Sequence, residues 1–160
     1  MEKKDLRQNN LCLFLLYIHM TLFIVFVSIS LIKLFILYPS LSLMDELTYQ
    51  NFFSHTLSKL RHIGFIIITL EVLTAVLILC IRTKLLKKWA SSFNFFVLIL
   101  SLIFVSFVIN PQVTLLSHGF EYSNLNRLNQ LYYILFLILF FRAFLLVYLL
   151  IKSRSKILNN

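Results

Sequence analysis

Residues 131–151 read LYYILFLILFFRAFLLVYLLI, twenty-one positions in which Arg142 is the only charge. Coiled as a helix, such a run rises about 1.5 Å per residue and crosses a hydrocarbon layer about 30 Å thick. An arginine near its middle costs about 2.5–3.5 kcal/mol even on the lenient insertion scale, so it needs a polar partner inside the protein.

Three further apolar runs precede it, over about 11–38, 63–81 and 93–110. The whole chain has 160 residues, 60% of them hydrophobic, and a mean hydropathy of +0.90. Soluble domains hold roughly 45–50% apolar residues, so this composition belongs in lipid. The expected fold is an all-α membrane protein: one domain over 1–160, a four-helix up-down-up-down transmembrane bundle. The first run resembles the apolar region of a signal peptide but is too long, with no A-x-A site after it, and is expected to be a retained span.

The formal charge is +9, from 15 Lys and Arg against 6 Asp and Glu. Nucleic acid is excluded as a partner because the basic residues sit in short clusters between apolar runs, where they meet lipid headgroups. The head, the 82–90 loop and the tail carry ten of them; the 39–62 and 111–130 loops carry three. The positive-inside rule then puts both termini in the cytoplasm. Trp89 is the expected interfacial anchor of the inner loop, and Tyr38, Tyr132 and Tyr133 mark the opposite interface.

The connections carry their own signals. Tyr38-Pro39 and Asn110-Pro111 are expected to end the first and third spans, since the residue before proline is pushed out of helical geometry. Ser42 followed by Asp45 resembles a capping box, and Met44, Leu47, Phe52, Phe53, Leu57 and Leu60 then recur at helical spacing. That pattern predicts an amphipathic outer helix lying on the membrane surface. Asn110 is placed as the cap of a second short outer helix ending at Gly119, and Ser123 as the cap of the fourth. GxxxG is absent, and seventeen phenylalanines imply bulky interdigitation between helices.

Lys33, Glu71 and Arg142 are the charges within the spans, and His19 is a fourth candidate for an intramembrane polar network. Counted along the helices, Lys33 lies roughly 7 Å from the outer boundary, Glu71 roughly 12 Å and Arg142 roughly 16 Å, with His19 roughly 12 Å from the inner side. The four form an expected ladder of depth. At about 100° per residue, His19, Ser30 and Lys33 share a face of the first helix, Gly64, Glu71, Ala75 and Ile78 a face of the second, and Asn94 and Ser101 a face of the third. Glu71 is the expected partner of Arg142, because a bidentate Arg–carboxylate pair is the usual remedy for two charges in lipid.

Other chemistry is thin. His19 is read as hydrogen-bonded to a neighbouring helix, with haem or metal ligation as the alternative; a second axial histidine at its depth is missing. His55, His62 and His118 belong to the outer surface, where they are read as solvated, with metal capture alongside Glu121 or Asp45 as the alternative. Cys12 and Cys80 have no ligand spacing and are read as buried inert thiols. HExxH, GxSxG, Walker and GxGxxG patterns are all absent, so no catalytic residue and no cofactor is assigned.

Tyr38, Pro39, His55, Glu71, Pro111, His118 and Arg142 together resemble a group of small bacterial four-helix membrane proteins, some of them grouped with anthrone-oxygenase-like sequences. The resemblance covers 38–145. It departs at the start of the fourth helix, where Tyr132, Tyr133 and Leu135 stand in place of an Asn-Trp and an additional Arg, and it carries no activity with it.

The leading expectation is a structural or accessory component of the membrane, acting through the bilayer, a homo-oligomer or a larger complex. An oxidoreductase or oxygenase-like enzyme using His19 or the outer histidines, and a small proton-coupled transporter using Glu71, are the alternatives.

Overall fold

The computed structural model describes residues 2–81, 86 and 88–158. The described chain is built from four long helical rods and contains no strand. Helix α1 (residues 2–41) joins Glu2–Ile32, a π-helical turn at Lys33–Leu37, and Tyr38–Leu41. Helix α2 (46–80) joins Glu46–Asn51, a π turn at Phe52–Leu57, and Ser58–Cys80, while α3 (88–117) joins Lys88–Phe104, a π turn at Val105–Ile109, and Asn110–Ser117. Helix α4 runs unbroken over Tyr122–Leu158. All four contain stretches long and apolar enough to cross a membrane. Of the basic loop between α2 and α3, Arg82, Lys84 and Lys87 lie outside the described residues.

Two prolines expected to stop helices do not stop them. In a π turn a carbonyl accepts from the amide five residues on: Tyr38 N–H donates to Lys33 O, and Asn110 N–H to Val105 O. The next residue is Pro39 in one case and Pro111 in the other, each in the first turn of the succeeding α-helical segment. A proline ring clashes with the carbonyl four residues back in a tight helix. Widening the turn just before the ring relieves that clash, so α1 continues to Leu41 and α3 to Ser117.

The 39–62 segment also differs from the expected surface helix. It forms the first turns of α2, continuous with the second span. Its cap is Asp45, whose carboxylate accepts from Thr48 N–H at 3.3 Å, whereas the Ser42 hydroxyl donates back to Pro39 O. Neither Asn110 nor Ser123 caps a helix: Asn110 lies within α3, and α4 begins at Tyr122. Gly119 does mark the end of α3, its amide closing on Leu116 O at 3.3 Å.

Tyr38, Leu41, Tyr49, Phe53, Leu57, Ile109, Val113, Leu116, Leu125, Leu128 and Tyr132 belong to one buried cluster. At the other end Leu16, Ile78, Ala90 and Leu149 pack together. Successive rods therefore run in alternate directions, with the early part of α1 and the late part of α4 at one end. Phenylalanine is not the main filler: among the seventeen, only Phe23, Phe26 and Phe53 are buried, while Phe35, Phe65, Phe96, Phe107, Phe140 and Phe144 all face outward. The interior is leucine with small and polar residues, among them Ala75, Ala90, Ser91, Asn94 and Ser101. Small side chains let helices approach closely, and outward aromatics cost nothing where the surroundings are as apolar as they are. Cys12 is buried as expected, but Cys80 is exposed at the last turn of α2.

Candidate functional site: a polar cluster shared by four helices

Midway along the bundle the apolar interior is interrupted by Arg142, which is fully buried. Its Nη2 lies 2.8 Å from Glu71 Oε1, and Glu71 is 1% exposed. The same Nη2 donates to His19 Nε2 at 3.1 Å, and Arg142 Nε donates to Asn94 Oδ1 at 3.4 Å. Asn94 Nδ2 in turn donates to His19 Nε2 at 3.2 Å. The guanidinium carbon stands 5.1 Å from the centre of the Phe23 ring, within the range of a cation–π contact.

These donors assign the state of the imidazole. A ring nitrogen that receives N–H groups from Asn94 and Arg142 carries the lone pair, so the proton of neutral His19 sits on Nδ1. Nδ1–H then donates to Thr74 Oγ1 at 2.9 Å, and the Thr74 hydroxyl donates to Glu71 O at 2.9 Å. The polarity runs in one direction, from Arg142 through His19 and Thr74 to the backbone of Glu71. Glu71's carboxylate closes the loop back on Arg142. Each rod supplies a member: His19 from α1, Glu71 and Thr74 from α2, Asn94 from α3 and Arg142 from α4.

Local sequence explains how the side chains converge. His19 sits between buried Leu16 and Phe23 on α1, Glu71 with Thr74, Ala75 and Ile78 on α2, and Arg142 between Leu139 and Leu146 on α4. Spacings of three and four residues put each set on one helix face. Thr74 was not recognisable as a member from sequence, since threonines in helices usually bond their own backbone. It does so here as well, and the histidine is added to that bond. Asn94 was placed on an inward face by its period, but nothing in the sequence tied it to the charges.

Lys33 does not join the others. It is half-buried at the start of its π turn and feels the charge of Arg61 on α2; among the described residues no hydrogen bond or ion pair links it to His19, Glu71 or Arg142. The expected ladder is thus a compact cluster without its outermost rung. His55, His62 and His118 are all exposed, and His62 Nδ1 is bonded to Ser58 O at 2.7 Å. Among the described residues no three of His, Cys, Asp and Glu gather as a metal-holding group. His19, with Nε2 accepting and Nδ1 donating, offers a metal no unshared lone pair in this arrangement.

One donor of the cluster is left over. Arg142 Nη1 is buried without a hydrogen-bond partner among the described residues. A buried unsatisfied donor carries a penalty of about 1–3 kcal/mol, more when charged, and Phe23's ring offsets part of it. No family model, curated protein or solved structure matches the chain.

Proposed function

We propose that the chain is a four-span protein of a bacterial cytoplasmic membrane, both ends on the cytoplasmic side, serving as a structural or accessory component of that membrane or of a complex within it. Four helices of sufficient length and apolarity support the membrane setting. The bias of ten basic residues over three between the two sets of connections supports the orientation.

The single observation that carries the accessory role is that one polar cluster takes a member from every helix and uses both nitrogens of its histidine in holding them. Such an arrangement fastens helices to one another. Native mass spectrometry on protein extracted from its own membrane in mild detergent tests this. A second polypeptide retained on the chain is the expected result. A bare chain carrying the extra mass of haem, a quinone or a metal would overturn it in favour of an enzyme.

A second reading, a small proton-coupled carrier, is favoured by Arg142 Nη1, which lies beside Glu71 without a hydrogen-bond partner among the described residues. Proton uptake into vesicles holding the purified protein decides it: loss with Glu71→Gln and retention with Glu71→Asp would establish a carrier, and indifference to both would remove it.

A further inference from the structure

Lys33, which stands apart from the polar cluster, feels one charge among the described residues, and it is another cation, Arg61. Helices α1 and α2 run in opposite directions and are tied by the bond between His19 and Thr74. Lys33 lies fourteen residues beyond His19 and Arg61 thirteen before Thr74, so at about 1.5 Å per residue both stand roughly 20 Å from that bond, level with each other. At about 100° per residue Lys33 faces within about 40° of His19's direction, toward α2. We propose that Lys33 and Arg61 together bind a phosphate group, supplied by the headgroup of an anionic phospholipid. The proposal rests on the membrane setting argued above.

Two cations at one level repel, and the chain sets no counter-charge between them. Neither side chain has a hydrogen bond or an ion pair among the described residues. The acidic residues at 45, 46 and 71 are ten or more positions from Arg61, which is about 15 Å or more along the helix. Glu71 is committed to Arg142, and Glu121 Oε2 accepts from Asn124 Nδ2 at 2.6 Å. Glu2 and Asp5 belong to the opposite end of α1. Lys33 is half-buried, so water screens its charge only in part. An anion from outside the chain is what offsets the pair.

Position and chemistry select that anion. Tyr38, five residues beyond Lys33, and Tyr132 meet at this end, and tyrosines mark the level of the headgroups. A lysine just below that level carries its ammonium outward on its apolar stem. Arg61 is exposed and presents a planar fork of N–H donors that matches phosphate oxygens two at a time. Lipid phosphates are the anions concentrated at that depth. A headgroup with net negative charge suits two cations, whereas a choline headgroup brings a third positive charge and gains less.

The test is native mass spectrometry of the full-length protein in mild detergent, with phosphatidylglycerol, phosphatidylcholine or inorganic phosphate added in separate arms. Phosphatidylglycerol is expected to be retained at least about tenfold more strongly than phosphatidylcholine, a preference that falls as salt rises. Lys33→Gln and Arg61→Gln each remove it, and Arg61→Lys restores part of it. Lys59→Gln, exposed and turned about 200° from Arg61 on the same helix, leaves it intact. Equal retention of the two lipids, or a preference indifferent to both glutamine variants, would overturn the proposal. Inorganic phosphate held in place of lipid, with the same dependence on Lys33 and Arg61, would keep the phosphate site and overturn its lipid source. Flotation with phosphatidylcholine vesicles reads the membrane setting separately: protein that floats but shows no preference overturns the site alone, and protein that does not float overturns both.

Discussion

Arg142 and Glu71 stand 2.8 Å apart on helices α4 and α2, each at most 1% exposed, and form an ion pair inside an apolar bundle. The pair is not alone: His19 and Asn94 bond the guanidinium from two further helices, so the charge is distributed over the whole cross-section. Removing one partner of a buried pair leaves an uncompensated charge and costs about 3–5 kcal/mol, whereas single hydrogen bonds between membrane helices average about 0.6 kcal/mol and reach about 1.7. The ion pair therefore dominates, and the other contacts orient it.

His19→Ala removes an acceptor from Arg142 and Asn94 and a donor to Thr74 in one step. A loss of about 1–3 kcal/mol is expected, read as a lower melting temperature in mild detergent. Thr74→Val removes only the last bond and should cost less than the histidine change. Equal losses would show that the imidazole does not organise the cluster.

Tyr38 and Tyr132 meet hydroxyl to hydroxyl at 3.1 Å, their rings 5.4 Å apart edge to face. A double-mutant cycle with Tyr38→Phe and Tyr132→Phe isolates the hydroxyl term, expected at about 0.6 kcal/mol and not above about 1.7. The rings remain in every variant, so a much larger coupling would mean the hydroxyls hold more than each other.

The exposed Asp45 carboxylate is held below its ordinary range by hydrogen bonds from Thr48, side chain first and backbone amide second. Its folded pKa is depressed, so the stabilisation of the start of α2 is present above the unfolded value, about 3.9, and is lost as pH falls through the folded value. Protection of the Leu47, Thr48 and Tyr49 amides, taken as exchange relative to an unstructured chain at the same pH, should fall on acidification in the wild type. Asp45→Asn, which keeps a capping oxygen, should remove that acid response without freeing the amides at neutral pH.

Pro39→Ala and Pro111→Ala restore an amide donor where a π turn already accommodates the ring. Both variants should remain helical across 33–41 and 105–117, with amide protection kept or increased. Fraying beyond residue 38 or 110 in the wild type would instead support helices that end at their prolines.

Four helices were legible because apolar runs of this length have one regular solution, and the facing of Glu71 and Arg142 was legible because two opposite charges in such runs must meet. The features that escaped the sequence were cooperative. Lys33 was placed by depth and by a uniform period of about 100° per residue that put it on the face of His19 and Ser30; Ser30 is buried on that face, whereas Lys33 opens a π turn and is only half-buried. Pro39 and Pro111 were read by their local rule, while the wider turns ahead of them are a property of several residues at once. The phenylalanines were assigned inward from bulk alone, although an apolar surrounding removes the force that would bury them.

The charge exchange Glu71→Arg with Arg142→Glu, set against each single change, tests the central claim most directly through the thermal stability of purified protein in mild detergent. Each single variant is expected to lose about 3–5 kcal/mol, since it sets two like charges together in the interior, and the exchanged pair to recover a substantial part of that loss. An exchanged protein no more stable than either single variant would show that the attraction between residues 71 and 142 does not hold the bundle together.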